Sequence, residues 1–189
     1  MKRRGKKAYT ARRLWRLATA PVRTLPDFVI IGAQKCGTTF LYQLLAQHPQ
    51  VKPGFAKEVH YFDLKFGKGD NWYRSYFPVR TRNSRKYITG EASPYYLFHP
   101  HAPRRASAVI PDVKLIVLLR NPVDRAYSHY QHQLKRVKGE ARETLTFEEA
   151  IEAEERMLPG EVSKMLQDEY YKSSFHRTRS YLSRGIYVE

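Results

Sequence analysis

Gly32-Ala-Gln-Lys-Cys-Gly-Thr-Thr39 gathers two glycines, a lysine and two hydroxyls, the composition of a loop that holds an anion. A β-branched apolar run, Asp27-Phe-Val-Ile-Ile-Gly32, precedes it and a helical pattern from Thr38 to His48 follows. That setting puts backbone N–H groups at a helix N-terminus, where free donors and the helix dipole favour negative charge. Lys35 adds a point charge, Thr38 and Thr39 add hydroxyl donors, and Gly32 and Gly37 permit the turn and close approach of a phosphate. A Walker A loop, G-x-x-x-x-G-K-[ST], has its lysine where Thr38 stands here; Lys35 lies inside the loop instead. The next apolar strand ends in Arg120, where a magnesium-holding aspartate belongs in a nucleoside triphosphatase. The loop therefore points to phosphate held by cations and amides, and a kinase reading loses its metal partner.

Arg120-Asn-Pro-Val-Asp-Arg-Ala-Tyr-Ser128 offers a second anion reader. Arg120 leaves a strand end and Ser128 lies two turns into the following helix, so the pair can clamp another phosphate by charge and hydroxyl. Arg125 is open between a phosphate role and pairing with Asp124 or a glutamate on a solvated helix face. Two readers imply a nucleotide with phosphates at separate places. Cys36 sits in a slot that a phosphate loop uses for backbone contact, which argues against covalent catalysis. No His/Cys cluster has zinc spacing, and His99 and His101, flanking Pro100, read as surface residues.

These loops need elements to hold them. The strands are 27–32 and Val113–Leu119, with a further one at 86–90. Helices are expected over Thr38–His48 (stopped by Pro49), His101–Ile110 and Pro122 to about Val137, and from a Thr146/Glu149 capping box. Alternation of this kind predicts an α/β fold with a parallel sheet and ligands at the strand C-terminal ends. Gly54–Arg85, rich in aromatics and lysine without a clear period, reads as a long functional loop. Tyr61, Phe62, Trp72, Tyr73, Tyr76 and Phe77 fit an acceptor wall or plain core packing, with core favoured for at least half.

The chain has 189 residues, enough for one domain with a real core, and carries 34 Lys+Arg against 18 Asp+Glu, a formal +16. Met1–Pro26 contains no acidic residue. Its plainest reading is a solvated, poorly ordered basic arm, and the sharper one is a contact for nucleic acid, anionic lipid or glycan. No stretch suffices to span a membrane, there is no secretory signal, and the single Cys36 fits a reducing compartment; a cytoplasmic protein is expected.

Gln34-Lys-Cys-Gly-Thr-Thr39 and Arg120–Ser128 resemble the two signatures of the sulfotransferases that use 3′-phosphoadenylyl sulfate (PAPS). Lys57-Glu-Val-His-Tyr-Phe-Asp63 is similar to a K-E-x-H-F-F-D segment of the heparan sulfate branch and its bacterial relatives, and Tyr181–Tyr187 resembles that group too. The resemblance implies a P-loop-like, three-layer fold with a central parallel sheet flanked by helices, C-terminally incomplete. It divides the chain into a basic arm (1–25) and a sulfotransferase domain (26–189). It also implies that Lys35, Cys36, Gly37, Thr38 and Thr39 hold the 5′-phosphosulfate, and Arg120 with Ser128 the 3′-phosphate. Glu58 would be the general base, Lys35 would stabilise the leaving group, and His60 would orient Glu58 or the acceptor, without any metal. Glu91-Ala-Ser-Pro-Tyr-Tyr96 resembles another acceptor-side segment. The expected partners are PAPS, its product adenosine 3′,5′-bisphosphate (PAP) and a carbohydrate or other hydroxyl or amine acceptor, not nucleic acid. The alternatives are a truncated, non-catalytic nucleotide- or polyanion-binding module and, behind it, a P-loop kinase.

Overall fold

The computed structural model describes residues 2–82, 86–136 and 142–188, the side chains of residues 2–8 aside. Helix α1 (Lys2–Ala18) leads through a short 3-10 turn to strand β1 (Phe28–Gly32), helix α2 (Thr38–Ala46) and strand β2 (Val51–Pro53). Then come α3 (Asp70–Arg74), β3 (Ile88–Ala92), α4 (Ala102–Val109), β4 (Lys114–Val117), α5 (Pro122–Leu134), α6 (Phe147–Gln167) and α7 (Ser174–Thr178). The four strands form one parallel sheet in the order β2-β3-β1-β4. This is the expected α/β architecture. β2 was not anticipated, and Val137, where α5 was expected to end, lies outside the described residues.

Side-chain alternation along β1 makes the layers. Phe28 and Ile30 face α2, packing with Tyr42, Leu41 and Leu45. Val29 faces the other way, into a cluster with Tyr61, Phe62, Tyr73, Phe77, Tyr96 and Ile110. Both faces of β1 are thus covered, while the edge strand β4 leaves Leu115 and Val117 exposed. A third cluster joins α5, α6 and the C-terminal segment through Ala126, Tyr130, Ala150 and Tyr181. The capping box at Thr146 and Glu149 forms as expected, with both reciprocal hydrogen bonds, and Asn121 caps α5 through Val123 and Asp124 N–H.

Three expectations change here. The basic arm is helix α1 and the 3-10 turn after it, and its Arg16 and Arg23 are buried, because their guanidiniums bond the Ser75 and Phe77 carbonyls. The 54–85 segment is not a loop laid over an edge; within its described residues the aromatics are mostly core, with Tyr61, Phe62, Tyr73 and Phe77 at or below 1% exposure. Residues 83–85 lie outside the described part. His99 is buried rather than superficial, and burial lowers its pKa to about 3, so it is a neutral packing residue. His101 is half-buried, with its ring nitrogen 2.6 Å from the Met165 carbonyl.

Candidate active site

The β1–α2 loop turns sharply at Gly37 (φ 86°), which caps α2 in the left-handed region with open space around it. Ala33 N–H and Leu118 N–H bond across to the Leu118 and Gly32 carbonyls, pinning the loop to the end of β4. Cys36 N–H closes the turn onto the Ala33 carbonyl at 3.2 Å. The N–H groups of Lys35, Gly37 and Thr38 have no acceptor among the described residues, so they form a donor cradle at the α2 N-terminus. Lys35 belongs to the same turn, its pKa lowered by burial and then by the neighbouring charges of Arg120 and Lys135. An uncompensated cation beside free N–H groups suits a sulfated or phosphorylated ligand.

Arg120 leaves β4 43% exposed and only 3.9 Å from Asp124, while Ser128 is half-buried on α5. Arg125 has neither role weighed for it as a solvated or paired residue. It is fully buried and donates to the Tyr181 carbonyl, tying α5 to the C-terminal segment, with its Nε and Nη1 unpartnered. Arg184 makes the return link. It donates to Gln34 of the phosphate loop and to the His176 and Arg177 carbonyls (2.8 Å each), and lies over the Tyr95 and Phe98 rings.

Glu58 and His60 follow β2. Glu58 N–H bonds the Ala92 carbonyl and His60 N–H bonds Ser93 Oγ, so the segment is strapped to the end of β3. His60 Nδ1 is 2.7 Å from buried Asp63 and its Nε2 is 3.6 Å from Glu58, whose other oxygen takes a 2.6 Å bond from Lys57. The Lys57–Glu58 ion pair is one arm of a four-residue charge chain. Glu58 is held down at about 2, by His60 first and Lys57 after it, against the opposing effect of burial. Burial works against a charged His60, but the Asp63 and Glu58 contacts outweigh it and raise its pKa to about 9. The stability this gives is complete below about 6.5, the ordinary histidine value, and is lost as pH climbs through about 9. An NMR titration of His60 should show its midpoint near 9, falling toward the ordinary value in Asp63→Asn. A midpoint near 6.5 in the unmodified chain would break the relay.

Among the described residues, the non-glycine residues with positive φ are Lys35 (73°), Glu58 (59°) and His60 (56°). Each such conformation costs about 1–3 kcal/mol, and outliers of this kind collect at functional sites. These are the three residues to which the motifs assign catalytic roles. Glu58 and His60 line one cleft of about 240 Å³ with Gln34 of the phosphate loop and with Arg136, Arg177 and Arg184. The cleft lies beyond the C-terminal ends of β1 and β3, as a parallel sheet requires.

Sequence reasoning singled out neither Asp63 nor Glu91. Glu91 is fully buried at the end of β3 and accepts from Val59 N–H (3.2 Å), Ser93 Oγ (2.7 Å), Tyr73 Oη (2.8 Å) and Tyr96 Oη (3.0 Å). It thereby fixes the backbone on which Glu58 and His60 sit. Glu91→Ala should lower stability in urea unfolding by about 3 kcal/mol or more, since each stranded buried donor costs about 1–3 kcal/mol. A loss below about 1 kcal/mol would mean that the hub is not structural.

A parallel α/β sheet flanked by helices, with a glycine turn between its first strand and α2, defines a P-loop-like fold. The family model described as "Sulfotransferase domain" matches residues 25–182, and the chain belongs to that family. It is 32% identical over 163 residues to a membrane-associated sulfotransferase, kil1, of Dictyostelium discoideum, covering 85% of this chain and 34% of that protein. It is 43% identical over 124 residues to the human heparan sulfate glucosamine 3-O-sulfotransferase 6, covering 65% of this chain and 35% of the other. A sulfotransferase structure from Alicyclobacillus acidocaldarius aligns with a TM-score of 0.55 at 30% identity, over 86% of this chain and 68% of that one. The chain spans about a third of the length of the two curated relatives named here.

Proposed function

We propose that the chain transfers the sulfuryl group of PAPS to a hydroxyl or amine of a carbohydrate. The observation that carries this is that Gln34 of the phosphate loop lines the same cleft as Glu58 and His60, and that Lys35, beside Gln34, shares with them the strained positive φ. Lys35 and the N–H groups of the cradle hold the 5′-phosphosulfate, with Thr38 and Thr39 as donors, and Arg120 with Ser128 holds the 3′-phosphate. Glu58 accepts the proton of the acceptor O–H or N–H as that atom bonds to sulfur. The bond from sulfur to the bridging phosphate oxygen breaks, and Lys35 stabilises the charge on the departing PAP. His60, charged and anchored by Asp63, orients Glu58. The arginine lining of the cleft suits an acceptor that already carries carboxylates or sulfates.

The division into a basic arm (1–25) and a sulfotransferase domain (26–189) is supported by the family match starting at residue 25. Cytoplasmic placement is supported by the lone Cys36, and no described helix is long and apolar enough to cross a membrane. Calorimetric titration separates the readings. PAP should bind without magnesium and ATP with magnesium should not; the opposite preference would favour a kinase. PAP binding with no sulfuryl transfer to heparosan-type or amino-sugar acceptors would leave a non-catalytic nucleotide module.

A further inference from the structure

Helix α1 is turned the reverse way for a helix on a protein surface. Ala11, Leu14, Trp15 and Ala18 recur at the spacing of one helix face, and Val22 in the following turn continues the stripe. That face looks outward: Leu14 is 62%, Trp15 56% and Val22 57% exposed. The inward face is cationic. Arg12 and Arg16 lie over the Phe55 ring, Arg13 over Tyr76 and Trp72, and Arg16 and Arg23 bond backbone carbonyls of 75 and 77.

Carbonyls, the Ser75 hydroxyl and rings engage these guanidiniums without neutralising them, and among the described residues the buried Nη2 of Arg13 has no hydrogen-bond partner. Among the described residues, no ion pair involves Arg12, Arg13, Arg16 or Arg23. The crowding registers at Arg16, whose pKa falls to about 10 through burial and then through Arg23, Arg12 and Arg13. At the end of the stripe, Arg74 and Arg80 line an open depression with Pro21, Val22 and Asn71. The sequence adds Lys2, Arg3, Arg4, Lys6 and Lys7 upstream and no acid before Asp27.

What covers an apolar stripe set in an uncompensated positive field must be apolar and negative together. A second copy of a chain with net charge +16 brings cation against cation. A soluble polyanion answers the charge and leaves Leu14, Trp15 and Val22 in water. An anionic bilayer meets both needs, with acyl chains for the stripe and headgroup phosphates for Arg74, Arg80 and the basic N-terminal residues. We propose that α1 and the turn after it form a peripheral docking surface for anionic lipid membranes, lying in the interface without spanning it.

The test uses the full chain and extruded vesicles of phosphatidylcholine, with or without phosphatidylglycerol. In a Trp72→Phe background, Trp15 is the remaining tryptophan of two and reports its own environment. Flotation with the anionic vesicles is expected, together with a blue shift of Trp15 emission and quenching by brominated acyl chains. Leu14→Asp and Val22→Asp, both at exposed positions, should each weaken vesicle binding about tenfold or more while leaving PAP affinity unchanged. Vesicle binding without a Trp15 shift, or unaltered by Leu14→Asp, would reduce the surface to charge alone and overturn the proposal. So would binding to heparin or RNA but not to vesicles, or a dimer in sedimentation that Leu14→Asp dissociates.

Discussion

Glu58→Gln should lower the sulfuryl-transfer turnover by about 10²–10⁴-fold, the usual contribution of a positioned general base, and leave PAP affinity unchanged. The substitution keeps the size and the oxygen that accepts from Lys57 but cannot take a proton. Because Glu58 is held at about 2, it stays ionised throughout the working range, and the rate should show no acid limb between about pH 4 and 7. Above about 9, where His60 loses its charge, Glu58 loses its second anchor and the profile should change there. Asp63→Asn should move that alkaline feature downward, which a merely structural Asp63 would not do. Unchanged turnover in Glu58→Gln would remove Glu58 from the chemistry and return Lys57–Glu58 to an ordinary surface pair.

Lys35 carries the second large effect. Removing its ammonium should reduce turnover by about 10²–10³-fold, the scale found when one preorganised charge-stabilising group is lost. PAP affinity should fall as well, because Lys35 faces the same anion before and after transfer. The choice of replacement separates function from folding. Lys35 sits at φ 73°, where alanine remains strained and glycine does not. Lys35→Gly should therefore melt at or above the temperature of the unmodified chain while losing activity as fully as Lys35→Ala. If Lys35→Gly unfolds early, the side chain is structural and the cradle has been misread; if PAP binds both variants as before, the phosphate site lies elsewhere.

The two effects differ in what they require of the fold. Lys35 needs only the local strand–turn–helix that positions it, whereas Glu58 needs the strap from β3 and the Glu91 hub beneath it. Substitutions at Glu91, Tyr73 or Tyr96 should consequently reduce turnover through Glu58 while PAP binding at the Lys35 loop persists.

Much of this protein is written locally in its sequence. The apolar run of β1, the glycine turn, the start of α2, the proline start of α5 and the Thr146 capping box each draw on neighbours a few residues away, and each stands where their spacing placed it. The anion-binding role proposed for the β1–α2 loop belongs to the same class, since the N–H groups and the helix that orient it are contiguous. What the sequence could not settle is which charged and aromatic groups are buried, because burial depends on segments distant in the chain. Arg125 reads as a helix-surface cation, yet Tyr181, 56 positions away, supplies the carbonyl that buries it. The aromatics of 61–77 become core only when β1 and α4 arrive against them, and Glu91 becomes a hub only when Val59, Tyr73 and Tyr96 converge. Helix α1 takes its outward apolar face because Phe55, Tyr76 and the carbonyls of 75–77 bind arginine better than they bind leucine. Side-chain identity sets what each residue can do; the tertiary contacts decide which of those chemistries is exposed to a substrate.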